Sequence, residues 1–429
     1  MENITRIVRN AWATPDLRRK IIFTLIIVFV YRIVAHVPLP GVDLAALREL
    51  FAQSQFLGLL NMFSGGALSN FSIVALGLNP YINASIVFQL AGMVIPKIEE
   101  LQKDEAGQRK LNQYQRLLTV PLAAIQSLSV YFILRQSSII QSLSAYDLLA
   151  MVITLTAGAL LAVWLGELLT EYGIGNGVSV LITVGIISGL PTQISQLLGT
   201  QASQNSMELL MFLGVSILTI AGIVLVNEAI RQIPVQYARR VRGGAQTTSQ
   251  MTYLPLRLNQ AGVIPIIFAV SLVLIPGTVA NFLSGLPYPQ VASVASSIAR
   301  IFDSGSVTYV ALYFILVVAF TFFYTAVTFN PDRISENLQK QGGFIPGVRP
   351  GQATSEYLNR LLTRITVPGS IFLGLVAILP IMVRFVFPDI GSIVTLGGTS
   401  LLIIVSVAIE TIRSMESMMV MRGYEKFIS

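Results

Sequence analysis

The chain has 429 residues, of which 54% are apolar and only 11% charged, and its mean hydropathy is +0.72. So apolar a composition excludes a water-soluble globular protein. Cysteine is absent and His36 is the single histidine, which excludes disulfides, thiol nucleophiles and histidine-rich metal sites. We therefore expect a membrane protein with few groups for catalysis, and no cofactor.

Uncharged runs long enough to cross a bilayer follow one another along the sequence. A helix needs about twenty residues for one crossing. Ten runs are found, and only Arg32 places a charge inside one. They lie at 21–37, 74–95, 117–134, 148–166, 178–198, 209–226, 261–282, 306–329, 365–383 and 390–409. The basic segment before the first run lacks a small-residue cleavage site, so we expect that run to be retained as a helix. The predicted fold is an all-α membrane protein with ten transmembrane helices.

The Lys and Arg residues concentrate in alternate connections between these runs. With both termini in the cytoplasm, 23 of the 28 lie on the cytoplasmic side and four on the outer side. Because cytoplasmic loops of membrane proteins carry the excess of Lys and Arg, we predict this orientation. The net charge of +7 then reflects orientation and contact with anionic lipid or an acidic partner, not nucleic-acid binding.

One uncharged stretch, 50–96, is 47 residues long, which is enough for two crossings. Two crossings would place the cations between Lys97 and Arg116 outside, against the charge rule. The first half of the stretch is rich in Asn, Ser and Gly, and such backbone survives at membrane depth only when it is buried in protein or lines a wet cavity. We predict a short re-entrant segment at 61–73, entering from the outer side, and a full helix from near Gly77.

An uncharged link near residues 198–206 divides the ten runs into two groups of five. An odd number of helices per half gives the halves opposite senses in the membrane, although no sequence repeat is evident. The predicted units are a cytoplasmic segment 1–20, a first half 21–200, a second half 207–412 and a cytoplasmic tail 413–429. The second half includes cytoplasmic loops at 231–260 and 330–364, and the Gly- and Pro-rich tip of the latter predicts a series of turns.

No enzyme motif is found: there is no GxSxG, HExxH or P-loop, and no pair of intramembrane carboxylates. Ile82 and Ile86 are four residues apart and share a helix face, which by itself favours ordinary packing. Arg349 lies between Pro346 and Pro350, which suits either a headgroup anchor or a guanidinium presented to a partner on a stiff turn.

Seven segments in the same order resemble the SecY family, the channel subunit of the general protein-translocation machinery. They are NMFSGGAL (61–68), LGLNPYINAS (76–85), WLGELLTEYGIGNGVS (164–179), NQAGVIPIIF (259–268), FNPDRISENL (329–338), GFIPGVRPG (343–351) and GGTSLLI (397–403). The resemblance covers nearly the whole chain. It implies two inverted five-helix halves around a pore that passes unfolded preproteins across the membrane and releases transmembrane segments sideways.

The resemblance also assigns roles to individual residues. The pore-constricting ring is expected at Ile82, Ile86, Ile182, Ile267 and Ile403. A narrow apolar collar can oppose ion flow by dewetting and offers a passing chain little to bind. The plug helix is expected at 61–73, with Asn61, Met62, Phe63, Ser64, Gly65, Gly66, Ala67, Leu68, Ser69 and Asn70. Gln89 and Ser271 are expected at a lateral gate between the second and third helices and the seventh and eighth.

Docking is expected at Arg349 and at the basic tip formed by Arg239, Arg240 and Arg242. The partners implied by the resemblance are SecE-like and SecG-like small membrane subunits, a SecA motor ATPase or the ribosome, signal-sequence-bearing preproteins and membrane lipids. The expected location is the bacterial plasma membrane, or a thylakoid or other plastid membrane.

The alternative is a secondary transporter of a small solute. Inverted halves and the helix interruption at Asn79–Pro80 suit that class. However, nine of the ten runs contain no ionisable residue that could couple transport to protons, although a sodium site built from carbonyls stays open.

Overall fold

The computed structural model describes residues 14–40, 42, 46–47, 61, 64, 66–103, 105–136, 144–201, 206–237, 251–284, 289–302, 306–386 and 398–428. The described helices are α1 (Pro15–Val34), α2 (Asn79–Val94), α3 (Pro96–Lys103), α4 (Glu105–Gln136), α5 (Ala145–Tyr172), α6 (Gly177–Gln201), α7 (Ser206–Glu228), α8 (Ile264–Ser284), α9 (Pro289–Ile301), α10 (Val307–Thr328), α11 (Pro331–Lys340), α12 (Gln352–Val386) and α13 (Gly398–Ile428). The strands are β1 (Ile230–Tyr237), β2 (Met251–Arg257) and β3 (Gly343–Phe344).

A helix overlaps each of the ten apolar runs, namely α1, α2, α4 to α8, α10, α12 and α13. Four stretches are each long and apolar enough to cross a membrane among the residues described: Ala106–Arg135, Ala145–Tyr172, Val307–Lys340 and Gln352–Leu379. The helices α2 and α3 together meet the same test but are bent by 116°. The bend falls at Ile95, which is extended because the following Pro96 disfavours helical backbone in the residue before it.

The prediction of an all-α fold is wrong in one respect, because the loops 231–260 and 330–364 contain a small antiparallel sheet with strand order β2-β1-β3. Ile233 opposes Leu254 in the β1–β2 pair, and Gln236 opposes Phe344 in the β1–β3 pair. Ile233 and Val235 alternate with more exposed neighbours, the period of a half-buried strand. The 231–260 loop is therefore a hairpin at its base.

Several helices extend beyond their apolar runs, which hydropathy alone does not reveal. α4 and α12 begin 12 and 13 residues before the apolar runs at 117 and 365. The helix α13 continues to Ile428, so the predicted tail 413–429 is mostly the end of the last helix. The connection 330–364 also contains α11, whose N-cap Asn330 accepts hydrogen bonds from the backbone N–H groups of Asp332 and Arg333.

The buried apolar residues form distinct clusters. The largest joins α1, α2, α5, α6, α7, α8, α10, α12 and α13, and therefore draws helices from both halves of the chain. A second cluster lies beside it, around Leu68, Phe71, Leu155 and Ala159. A third, around Ile233, Leu256, Ile345 and Leu358, joins the sheet to α11 and to the first turns of α12. The described parts of the loops 231–260 and 330–364 therefore fold as one unit, which we call the loop unit.

Candidate functional site

Five isoleucines meet inside the largest cluster, and we refer to them as the isoleucine collar: Ile82, Ile86, Ile182, Ile267 and Ile403. Each is no more than 5% exposed, and Ile403 is 0% exposed. They come from four helices, α2, α6, α8 and α13. Because α8 packs against α2, and α13 packs against α6, elements far apart in the sequence bring these side chains together.

The segment 61–73, which the sequence predicts to be re-entrant, contributes to the same apolar cluster as the isoleucine collar. Ala67 is 0% exposed and belongs to the same cluster as the five isoleucines, whereas Leu68 and Phe71 belong to the neighbouring cluster. Met62, Phe63 and Gly65 lie outside the described residues. In the described part, Asn61 is helical, residues 64, 66–71 and 73–78 form turns and Ser72 lies in a β-bridge, so the path is irregular and partly buried where a plug helix was expected.

Local hydrogen bonds explain this irregular path. The hydroxyl of Ser64 donates to the Asn61 carbonyl (2.9 Å) and accepts from the Leu68 N–H (3.1 Å). The Asn61 side-chain oxygen accepts from the Ser69 N–H (2.9 Å). Asn and Ser side chains that bond nearby backbone groups compete with regular helix, and here they satisfy the buried backbone instead.

The two expected gate residues lie on helices that touch. Gln89 is on α2, where its side-chain amide donates to the Ser85 hydroxyl (3.2 Å), and its carbonyl oxygen has no partner among the described residues. Ser271 is buried on α8. Since α8 packs against both α2 and α4, this seam between the halves is closed in the structure.

Arg349 is exposed at a rigid turn on the loop unit. Its carbonyl accepts from the Thr354 hydroxyl (2.8 Å), and the Gly351 carbonyl accepts from the Ser335 hydroxyl (2.6 Å). Gly347 and Gly351 have φ angles of 82° and 96°, a region that residues with a side chain rarely adopt. The backbone of the turn is therefore well fixed, and Arg349 is exposed on it.

Charges around this unit are partly paired. A hydrogen bond and the positive charge from Lys340 lower the pKa of the Glu336 carboxyl, while burial and nearby Arg413 lower the pKa of the Arg257 guanidinium. Arg239, Arg240 and Arg242 lie outside the described residues. They follow Tyr237 of β1, which pairs with Gly343 of β3, so the chain enters that basic segment from the same sheet that carries the Arg349 turn.

A buried polar network is a feature that sequence reasoning did not anticipate. The Asn259 amide donates to the Asn227 side-chain oxygen (2.8 Å), and the Asn227 amide donates to the Ser406 hydroxyl (2.9 Å). Arg413 donates to the Asn227 carbonyl and to Glu228 (2.7 Å). The network joins the end of α7, the entry to α8 and α13. The only sequence signal is single asparagines at the ends of apolar runs.

Comparison with known proteins gives a family for this arrangement. The family model described as SecY matches residues 72–412. The protein translocase subunit SecY of Streptomyces scabiei is 42% identical over 98% of both chains, and that of Halalkalibacterium halodurans is 43% identical over 99% of both. The chain belongs to the SecY family.

Solved structures agree with the SecY assignment at the level of the fold. A protein-conducting channel matches with a TM-score of 0.63 at 18% identity, over 93% of this chain and 92% of the other. Sec61 in a canine ribosome–channel complex from the endoplasmic reticulum matches with a TM-score of 0.60 at 17% identity, over the same shares. The mostly helical architecture is therefore that of the SecY and Sec61 channels.

Proposed function

We propose that this chain is the protein-conducting channel of a membrane translocase. The observation that carries the proposal is the burial of the isoleucine collar together with Ala67 of the re-entrant segment in one apolar cluster. Membership of the SecY family, whose relatives named above are translocase subunits, supports the same function. The collar is the pore constriction, and segment 61–73 is the plug that closes it from the outer side.

The chemistry of the isoleucine collar suits this role. An aliphatic constriction dewets when narrow, which opposes ion flow, and it forms no hydrogen bonds that could retain a polar segment. Isoleucine is branched at Cβ and has few rotamers, so the collar keeps its shape while side chains of different sizes pass. When no chain is present, the plug occupies the outer side and completes the seal.

Ten helices cross the membrane in this proposal, as two inverted halves with both termini in the cytoplasm. The charge distribution supports it, because 23 of the 28 cations then lie on the cytoplasmic side. The sheet and the Arg349 turn would project into the cytoplasm. The chain resides in a bacterial plasma membrane or a thylakoid or other plastid membrane.

The lateral gate is the seam between α2 and α4 on one side and α8 and α10 on the other. The packing of α8 on α2 and α4 supports a closed gate, and Gln89 and Ser271 would be polar groups along it. Transmembrane segments would leave sideways when α8 separates from α2. A buried polar atom without a hydrogen bond costs free energy, so polar groups weaken an otherwise apolar seam. The carbonyl oxygen of Gln89 is such an atom, since it has no partner among the described residues.

A motor ATPase of the SecA type or a ribosome docks on the loop unit, which is formed by the loops 231–260 and 330–364 and faces the cytoplasm in this proposal. Arg349 would meet acidic or phosphate groups of that partner, and Arg239, Arg240 and Arg242 would extend the basic surface. The Sec61 relative in a ribosome–channel complex supports such docking. Small SecE-like and SecG-like subunits, membrane lipids and signal-sequence-bearing preproteins complete the set of partners.

Reconstitution distinguishes this function from a secondary transporter. The chain, purified with its accompanying small subunits and placed in liposomes, should move an unfolded preprotein into the lumen only when motor ATPase and ATP are present. Uptake of small solutes such as amino acids or sugars should stay at the level of protein-free liposomes. Solute uptake without preprotein movement would contradict the channel and favour the transporter.

A further inference from the structure

Tyr31 of α1 connects the first helix to the re-entrant segment. Its side chain is 1% exposed, and its hydroxyl donates a hydrogen bond to the backbone carbonyl of Ser64 across a distance of 3.2 Å. The aromatic ring belongs to the same cluster as the isoleucine collar. Buried phenols usually have a polar hydrogen-bond partner, and for Tyr31 that partner is a backbone carbonyl of the proposed plug.

Ser64, whose carbonyl accepts the hydrogen bond from Tyr31, organises the turn near the start of the plug. The hydroxyl of Ser64 bonds both the Asn61 carbonyl and the Leu68 N–H, and Ser64 is itself 0% exposed. Fixing the Ser64 carbonyl therefore fixes the turn that carries Ala67 to the collar. A single side-chain bond from α1 positions this end of the plug.

The other end of the segment is held differently. Pro38 and Ser72 form an isolated antiparallel bridge, flanked by backbone hydrogen bonds from Leu39 N–H to the Phe71 carbonyl (2.9 Å) and from Ile73 N–H to the Val37 carbonyl (3.1 Å). These two backbone hydrogen bonds restrain this end of the segment more than the single bond from Tyr31 restrains the other end. Phe71, directly before the bridge, has a φ of 42°, an uncommon conformation for a residue with a side chain.

We infer that Tyr31 is a latch for the plug and that the Pro38–Ser72 bridge is its hinge. Opening breaks the bond from Tyr31 to Ser64 and turns the segment about Phe71, while the bridge keeps it attached beside α1. The inference rests on the proposed function, because it treats segment 61–73 as a plug. Tyr31 is a positioning residue: it sets how often the resting plug leaves the collar.

The test uses the variant Tyr31→Phe, which removes the hydroxyl and keeps the ring in place. Tyr313→Phe on α10 is the matched control, because Tyr313 is also buried but its hydroxyl has no partner among the described residues. The chain contains no cysteine, so Ala67→Cys introduces a single thiol at the collar. The rate at which a maleimide alkylates that thiol in the reconstituted resting complex reports how often the plug opens.

Loss of one net hydrogen bond should raise the open fraction, and with it the alkylation rate, about two- to twelvefold in Tyr31→Phe. Tyr313→Phe should leave the rate unchanged. Equal rates in Tyr31→Phe and the parent would overturn the latch. Motor-driven preprotein transport is measured in the same preparations to separate the latch from the proposed function. If the parent transports preprotein but Tyr31→Phe does not change the alkylation rate, the latch alone is rejected. If the parent does not transport preprotein, the channel is rejected.

The hinge is tested by a disulfide across the bridge. Opposed residues of a narrow antiparallel pair bring their Cα atoms to about 4.5 Å, which suits a disulfide. Oxidised Pro38→Cys/Ser72→Cys should transport preprotein at the rate of its reduced form, because the bridge stays closed during opening. Loss of transport on oxidation, restored by reductant, would overturn the hinge assignment.

Discussion

Ile403 illustrates what a single residue contributes to the proposed seal. It is fully buried on α13, and the same cluster holds Ala67 of the proposed plug and Ile86 of α2. Spacing in the sequence shows that Ile82 and Ile86 share a helix face, but spacing does not show what that face meets. The four helices that supply the collar come together only through tertiary packing, so a pore role could be anticipated from family resemblance and not from periodicity.

A polar side chain in the isoleucine collar should weaken the seal. In Ile403→Asn, a buried amide without a partner costs about 1–3 kcal/mol when the plug is closed, which should raise the resting ion leak on the order of tenfold. Single-channel conductance in planar bilayers measures this leak. Ile412→Asn is the control, since Ile412 is on the same helix but 46% exposed. A leak in Ile403→Asn equal to that of the control would count against the collar.

At the scale of elements, α5 approaches the end of the plug segment very closely. A Cβ atom added at Gly158 would lie 1.9 Å from the Ile73 carbonyl oxygen, closer than any real contact allows. The backbone of Ile73 is fixed by its hydrogen bond to Val37, so it has little room to move. Small residues at such crossings let segments pack without a gap.

Gly158→Ala should therefore destabilise the protein by about 1–3 kcal/mol, as overpacking generally does. Gly214→Ala on α7 is the matched control, because an added Cβ there meets nothing within 4 Å. This control should be neutral or gain up to about 1 kcal/mol from helix propensity. Thermal unfolding in detergent compares the two variants. A Tm for Gly158→Ala at or above the parent's would contradict the close approach.

The loop unit shows what the sequence could and could not predict at this scale. The Gly and Pro residues at 342–351 correctly predict turns. The strand pairing was missed because β1 and β3 are more than a hundred residues apart and β3 has two residues, too few for a periodic signal. The lengths of α4 and α12 were underestimated because hydropathy marks only the apolar part of each helix.

Arg349→Glu should abolish motor-driven transport while the channel still folds. Arg349 is exposed on a rigid turn, so reversal of its charge opposes an acidic or phosphate-rich partner and leaves the backbone hydrogen bonds of the turn in place. Preprotein import into liposomes measures the loss, and Tm confirms folding. Arg360→Glu on the neighbouring α12, also exposed, is the charge-matched control and should retain transport. Normal transport by Arg349→Glu would reject its docking role.

For the whole molecule, the proposal assigns orientation to a small number of charges and the seal to a small number of isoleucines. The uncharged stretch 50–96 predicts a re-entrant segment, and in the structure the turns that precede α2 bring Ala67 into the same apolar cluster as the isoleucine collar. The helices of both halves meet there, and the buried network around Asn227 and Asn259 ties α7, α8 and α13 together within the second half. Separation of the halves would therefore open the seam at α8 while those three elements stay joined.

The most direct test of the central claim asks where a moving polypeptide touches this chain. A photo-crosslinking amino acid is placed at Ile86 or Ile403 in the collar, or at Leu225, which is 71% exposed on α7. A preprotein fused to a tightly folded domain is then arrested during motor-driven transport and the complex is irradiated. We predict crosslinks to the preprotein from both collar positions and none from Leu225. Transport without crosslinks from the collar, or with equal crosslinks from Leu225, would contradict a channel through the isoleucine collar.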